Sequence, residues 1–359
     1  MKRLFAALCV FALVLTGCTS MLERDYVSVS HHVEYPVNDD SSILQAESYQ
    51  GLVSAILYFV SEHADTGVVR LSNYTGDVGD DLETACREIL EQDPVGSYAL
   101  NDIEHSHTRI VSYYEVSLTF DYARTEAELD SIVPISTARP LSSVLSGAMT
   151  RFSEKCVVSF SFFNGDEASL LSQVRQLWLD TPLASLARPE VRVKLYPETG
   201  LSRVAEFTFD WQQDPEDLSA HSSELLSAAQ RLLQDLNLSA DNVTAEELLT
   251  ALPQRVVLDP EGGSSAYDAL VSGSANAQGM TSALSLLCQL ADVEATVVEG
   301  RKDGEAAFWL IAATADGYRH LDPAAQKPFC ALDEEFLRLG YEWSMERYPA
   351  CVLPLSPEE

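Results

Sequence analysis

The chain has 359 residues, with 55 Asp and Glu against 23 Lys and Arg, a formal charge of −32. That balance excludes a phosphate-backbone binder, so no nucleic-acid partner is expected, and it excludes a polybasic dock on lipid headgroups. At 46% apolar the chain is not a disordered acidic tail, and its length suggests about two domains.

At the start, Lys2 and Arg3 precede an apolar run from Leu4 to Leu15. The run is too short to span a bilayer comfortably and suits the apolar core of a signal peptide. It ends in Leu15-Thr16-Gly17-Cys18, which resembles the bacterial lipobox. That resemblance implies a signal peptide over residues 1–17 and lipidation of Cys18. The membrane is then a partner through lipid, with the chain on the extracytoplasmic face of the cell membrane. An ordinary cleaved signal peptide is the alternative. Cleavage would remove Lys2 and Arg3 and no acid, leaving −34. No other apolar run approaches eighteen residues. Residues 18–46 are polar, with Pro36 and an Asp39-Asp40-Ser41-Ser42 run, and read as a tether. His31-His32 in this stretch reads as solvated.

An internal repeat is expected over residues 47–215. Val68-Val69-Arg70-Leu71 aligns with Val157-Val158-Ser159-Phe160 at an offset of 89, as Phe120-Asp121-Tyr122 does with Phe209-Asp210-Trp211. The copies span 47–125 and 139–215. Each reads as α-β-α-β-β. Helices are expected over Tyr49–Glu62 and Leu141–Glu154, then strands over Val68–Tyr74 and Cys156–Phe163. Amphipathic helices follow over Asp80–Gln92 and Glu167–Leu179. Strand segments close each copy at Arg109–Ala123 and Val204–Trp211. The expected fold is α+β, with helices on one face of an antiparallel sheet. His105 and His107 could project from one side of a strand, but no third ligand of known spacing accompanies them. They read as surface histidines.

Beyond Cys9 and Cys18 the cysteines are Cys86, Cys156, Cys288, Cys330 and Cys351, with no C-x-x-C spacing. Neither a metal nor a cofactor is expected. Cys330 and Cys351 could pair, or stay buried as free thiols.

Residues 216–359 carry the most specific pattern. Helices are expected over Ser219–Asn237 and Thr244–Leu252. Then come Tyr267 and Leu270, Gly273, Gly279, an apolar helix to Leu290 and a strand over Val293–Val298. Ala307-Phe308-Trp309 and His320-Leu321-Asp322-Pro323 follow, with Phe336, Trp343 and Tyr348-Pro349 in the tail. In order and spacing this resembles the transglutaminase-like superfamily, which has a papain-like α+β fold. The resemblance implies a nucleophile at 277, a base at 307 and an orienting acid at 322. Here those residues are Ala277, Ala307 and Asp322. A methyl group neither attacks a carbonyl nor takes a proton from a thiol. Cys288 lies on the same helix but about 16 Å along its axis from 277. His320 and Asp322 share a strand face, without an evident nucleophile beside them.

The expected protein is a degenerate, non-catalytic transglutaminase-like lipoprotein. The old groove would persist as a cleft with Gln278, Gly279, Trp309 and His320 as lining candidates, open to a peptide or cell-wall ligand. The alternative is an active amide hydrolase or acyl transferase with a relocated nucleophile. A solute-binding lipoprotein would need long alternating β-α runs that the chain lacks.

Overall fold

The computed structural model describes residues 43–135, 140–235 and 243–353. The expected leader, Cys18, His31-His32 and most of the expected tether lie outside the described residues. The chain divides into two compact units, Met1–Thr125 and Glu126–Glu359. The division expected between residues 215 and 216 falls inside the second.

The first unit is a mixed four-stranded sheet with helices. Its strands are β1 (Ile43–Ala46), β2 (Thr66–Ser72), β3 (Leu100–Ile110) and β4 (Tyr113–Tyr122), in the order β1-β2-β4-β3. β1 runs parallel to β2, and the other pairs are antiparallel. The helix α1 (Tyr49–Ser61) starts where the Ser48 side chain accepts the Gly51 amide, and it buries Leu52, Ile56, Phe59 and Val60. α2 (Val78–Glu91) is capped by Asp77 and buries Leu82, Cys86 and Ile89; a short α3 (Pro94–Ala99) leads into β3.

In the second unit, α4 (Glu126–Asp130) precedes β5 (Val133–Ile135), α5 (Leu141–Thr150), β6 (Lys155–Phe160), α6 (Glu167–Leu179), β7 (Glu190–Tyr196) and β8 (Arg203–Asp210). The sheet order is β5-β6-β8-β7, with the parallel pair again at the start. The likeness between the two sheets extends to single bonds at the 89-residue offset. The Tyr122 hydroxyl donates to the Ala64 carbonyl at 3.2 Å, and the Trp211 indole donates to the Ser153 carbonyl at 3.1 Å. His63 and Phe152 both adopt left-handed backbone, with φ of 49° and 51°. Asp77 and Asp166 both cap helices.

These observations correct the expected α-β-α-β-β order. Each sheet opens with a strand, and Ile43–Ala46, at the end of the expected tether, is one of them. Strands of four and three residues are too short to show a readable alternation. Because they pair in parallel, the sheets are mixed rather than antiparallel. The segment Arg109–Ala123 is a hairpin whose first strand starts at Leu100, a stretch too polar to resemble a strand.

The rest of the second unit begins with α7 (Pro215–Asp235), α8 (Ala245–Ala251), β9 (Val257–Leu258), α9 (Ala266–Leu270), β10 (Ser274–Ala275) and α10 (Ala277–Leu290). A five-stranded antiparallel sheet follows. It comprises β11 (Ala295–Lys302), β12 (Glu305–Thr314), β13 (Gly317–Asp322), β14 (Phe329–Ala331) and β15 (Tyr341–Glu342), in the order β14-β13-β12-β11-β15, with α11 (Asp333–Arg338) before β15. On one face, Leu310, Ala312 and Leu321 pack with Met280, Leu284 and Leu287 of α10. On the other, Val298, Trp309 and Ile311 pack with Phe336, Tyr341, Tyr348 and Cys351.

β11 has an edge that β15 covers only at Arg301 and Lys302. At Val297, two side chains of the α6 end take the place of a strand. Asp180 accepts the Val297 amide at 2.7 Å, and the Gln176 amide group donates to the Val297 carbonyl at 2.8 Å. The Asp180 carboxylate also accepts the Thr296 hydroxyl at 3.1 Å. Burial pushes its pKa up, against the pull of these donors. Asp180→Ala should strand the buried Val297 amide and cost about 1–3 kcal/mol in urea unfolding of the full chain. Asp180→Asn, which keeps one acceptor oxygen, should recover part of the loss.

Candidate functional site

Helix α10 opens at the position expected for a nucleophile. The Asn276 side chain accepts the Gly279 amide at 3.1 Å and caps the helix, and Ala277 is its first residue. The Thr281 hydroxyl lies 2.9 Å from the Ala277 carbonyl and 3.1 Å from the Phe308 carbonyl, so this first turn is tied to β12. Gly279 is buried so tightly that a Cβ there would meet the Ala275 methyl at 2.7 Å and the Gly263 carbonyl at 2.8 Å.

Strand alternation then separates the three expected positions. Leu310 and Ala312 face α10, whereas Ala307 packs with Trp309 and Ile311 on the far side of the sheet. Ala307 pairs with Gly300, and a Cβ at Gly300 would run into the Trp309 ring. Asp322 also serves the far side. It accepts the Tyr341 hydroxyl, and its other oxygen accepts the Ala324 and Ala325 amides at 2.8 and 3.1 Å. Asp322 is therefore fully engaged in holding the turn after β13. The structure brings Trp309, His320 and Asp322 to one face and leaves Ala277 on the other. Of the residues expected to line a cleft, Gly279, Trp309 and His320 are buried; Gln278 is half-buried.

His320 is wholly buried and bonded through both ring nitrogens. The Trp309 indole donates to Nδ1 at 2.9 Å, and Nε2 lies 2.8 Å from Asp333 Oδ1. An indole nitrogen only donates, so Nδ1 must accept, and the ring proton sits on Nε2, pointing at Asp333. Burial holds the His320 pKa below its ordinary value, outweighing the opposite pull of Asp333. The Phe336 ring stacks on the imidazole, with centroids 4.4 Å apart.

Next to this pair lies a thiol that sequence reasoning missed. Cys351 Sγ, a His320 ring nitrogen and an Asp333 oxygen all fall within 4.8 Å of one another. The spacing of 13 and 18 residues between them forms no motif, and Asp333 reads as one of several acids opening a helix. The cluster has the composition of a nucleophile with a base and an acid, but not the proton arrangement. Burial, reinforced by Asp333, pushes the Cys351 pKa up to about 12, so the thiol keeps its proton. His320 offers it no lone pair. A metal on Nε2 would force the ring proton onto Nδ1, opposite the Trp309 N–H, setting two donors against each other. What the cluster does is fasten the tail: Asp333 accepts the Cys351 amide at 3.2 Å and gives its own amide to the Cys351 carbonyl at 2.9 Å.

The five described cysteines are free; Cys330 is exposed and the others are buried. Burial pushes the Cys288 pKa up to about 12. His105 and His107 lie on β3 opposite Leu118 and Val116. Among the described residues, no helix is long and apolar enough to cross a membrane.

No protein-family model matches the chain, and no curated protein does. One solved structure, described as the crystal structure of a TGase, is 12% identical with a TM-score of 0.26. The match covers 52% of this chain and 57% of that one, so the chain spans little more than half of its length.

Two outcomes follow from the geometry. With Ala277 and Ala307 on opposite sheet faces, the double variant Ala277→Cys, Ala307→His should carry a thiol that alkylates with the same pH profile as the single variant Ala277→Cys, whose pKa the helix N-terminus alone lowers. A thiol pKa lower in the double variant than in the single one by a unit or more would overturn the face assignment. Because the folded His320 resists protonation, the unfolded chain binds more protons as pH falls below the ordinary 6.5. Stability should therefore drop from pH 6.5 towards the lowered folded pKa, by up to about 1.4 kcal/mol per pH unit for this group. His320→Gln should flatten that part of the curve in urea titrations.

Proposed function

We propose that the protein is a lipid-anchored, non-catalytic binding protein of a bacterial envelope, held by Cys18 at the extracytoplasmic face of the cell membrane. Its partners are the membrane, through lipid, and a peptide or cell-wall fragment. It is built from a duplicated β-α-β-α-β-β module followed by a degenerate transglutaminase-like region. The matched sheet orders and the bonds repeated at 89 residues support the duplication. A helix opening at Ala277, followed by antiparallel strands bearing Trp309 and Asp322-Pro323, supports the kinship of the C-terminal region.

One observation carries the non-catalytic reading: His320 is occupied through both nitrogens, between an indole donor and a carboxylate. A general base must present a lone pair to the group it deprotonates. His320 presents none, and the nearby Cys351 thiol is buried and protonated.

Two measurements test the parts separately. Intact mass of the protein purified from a bacterial membrane fraction should show residues 1–17 removed and acyl chains on Cys18. An unmodified N-terminus would overturn the anchor. The full chain should turn over neither amide nor transamidation substrates. Turnover abolished by iodoacetamide would overturn the non-catalytic reading and favour a relocated nucleophile.

A further inference from the structure

The two sheets differ where one helix meets its edge strand. In the first unit, Leu82, Cys86 and Ile89 of α2 are 0%, 4% and 1% exposed. The helix α3 packs against the end of α2, with Gly96 so near that a Cβ would meet the Ile89 carbonyl at 2.4 Å. The positions 89 residues on are Leu171, Arg175 and Trp178 of α6. There the connection from Asp180 to Pro189 makes turns and no helix, and Leu171 is 37% exposed. What is packed interior in the first sheet is an open slot in the second.

The slot has a volume of about 220 Å³ and lies between α6 and the start of β7. Leu171, Trp178, Pro189 and Val191 give it apolar walls, and Arg175 and Arg188 stand at its rim. It is smaller than a drug-sized pocket and matches one large side chain. Trp178 is fixed by its indole bond to the Ala187 carbonyl at 2.9 Å. The two arginines differ in state. Arg175 is engaged with Glu299, through Nε at 2.9 Å. Arg188 is exposed and has no hydrogen-bond or ion-pair partner among the described residues. A free guanidinium beside an apolar slot, on a chain of charge −32, is a local exception that selects for an anion.

We propose that this slot binds the C-terminal residue of a peptide ending in an aromatic or branched aliphatic side chain. The side chain fills the slot and the terminal carboxylate pairs with Arg188. A C-terminal residue carries both groups on one Cα, which is the juxtaposition the slot and rim require. The proposal rests on the binding-protein reading only in taking a peptide as ligand; neither the anchor nor the absence of catalysis enters it.

The test uses the full chain in detergent solution, titrated with N-acetyl-L-phenylalanine and with its uncharged amide, read by tryptophan fluorescence. The acid should bind saturably and about tenfold more tightly than the amide, the worth of one charged hydrogen-bonded pair. Arg188→Gln, at an exposed position, should erase that preference and leave amide binding unchanged. Leu171→Trp should weaken both ligands by filling the slot. Equal affinity for acid and amide, a preference that survives Arg188→Gln, or no saturable binding up to about 10 mM would each overturn the proposal. None of these results bears on the intact mass or the turnover assay, so the readings fail separately.

Discussion

The chemistry open to the C-terminal region is set by a single N–H. The Trp309 indole points at His320 Nδ1 and can only donate. From that follow the proton on Nε2, the bond to Asp333 and the placement of the tail at Cys351. In an apolar setting a ring bonded on both sides is worth more as a rivet than as a base. The surrounding aromatic residues Phe336, Tyr341 and Trp343 keep water out and hold the pair in register. A catalytic site needs a proton with somewhere to go. At His320 both ring nitrogens are already bonded.

The same economy recurs in the sheets. Two mixed four-stranded sheets repeat strand order, strand sense and even a left-handed residue at the end of the first helix. One difference between them lies in what covers the helix next to the edge strand. The first sheet spends a short helix on that job. The second spends the corresponding helix end on the C-terminal sheet, through Gln176 and Asp180. A slot is left open there, and the two sheets differ in burial at positions 89 residues apart.

Much of this was legible in the amino-acid sequence. The 89-residue register placed Glu167–Leu179 correctly, because an amphipathic helix of thirteen residues shows its period. The edge strands Ile43–Ala46 and Val133–Ile135 were not legible, since pairing rather than propensity makes them strands. At the site, the helix opening at Ala277 was readable from the Gly-rich approach and the apolar run. The face of β12 was not. Ala307 and Phe308 differ by one position, and only the packed sheet decides which of them meets α10. Likewise Asp333 and Cys351 reach His320 through the fold of the tail, at spacings that no motif encodes.

The cover over Val297 has a consequence of a different kind. An open sheet edge is a template on which a second molecule can lay a strand and begin an aggregate. A neighbouring strand is a poor guard against this, because an identical strand from another copy can take its place. Two side chains from a helix cannot be exchanged so simply. They satisfy one amide and one carbonyl without offering a ladder to continue. At Val297, β11 is protected from its own copies by a cap that has no register to propagate.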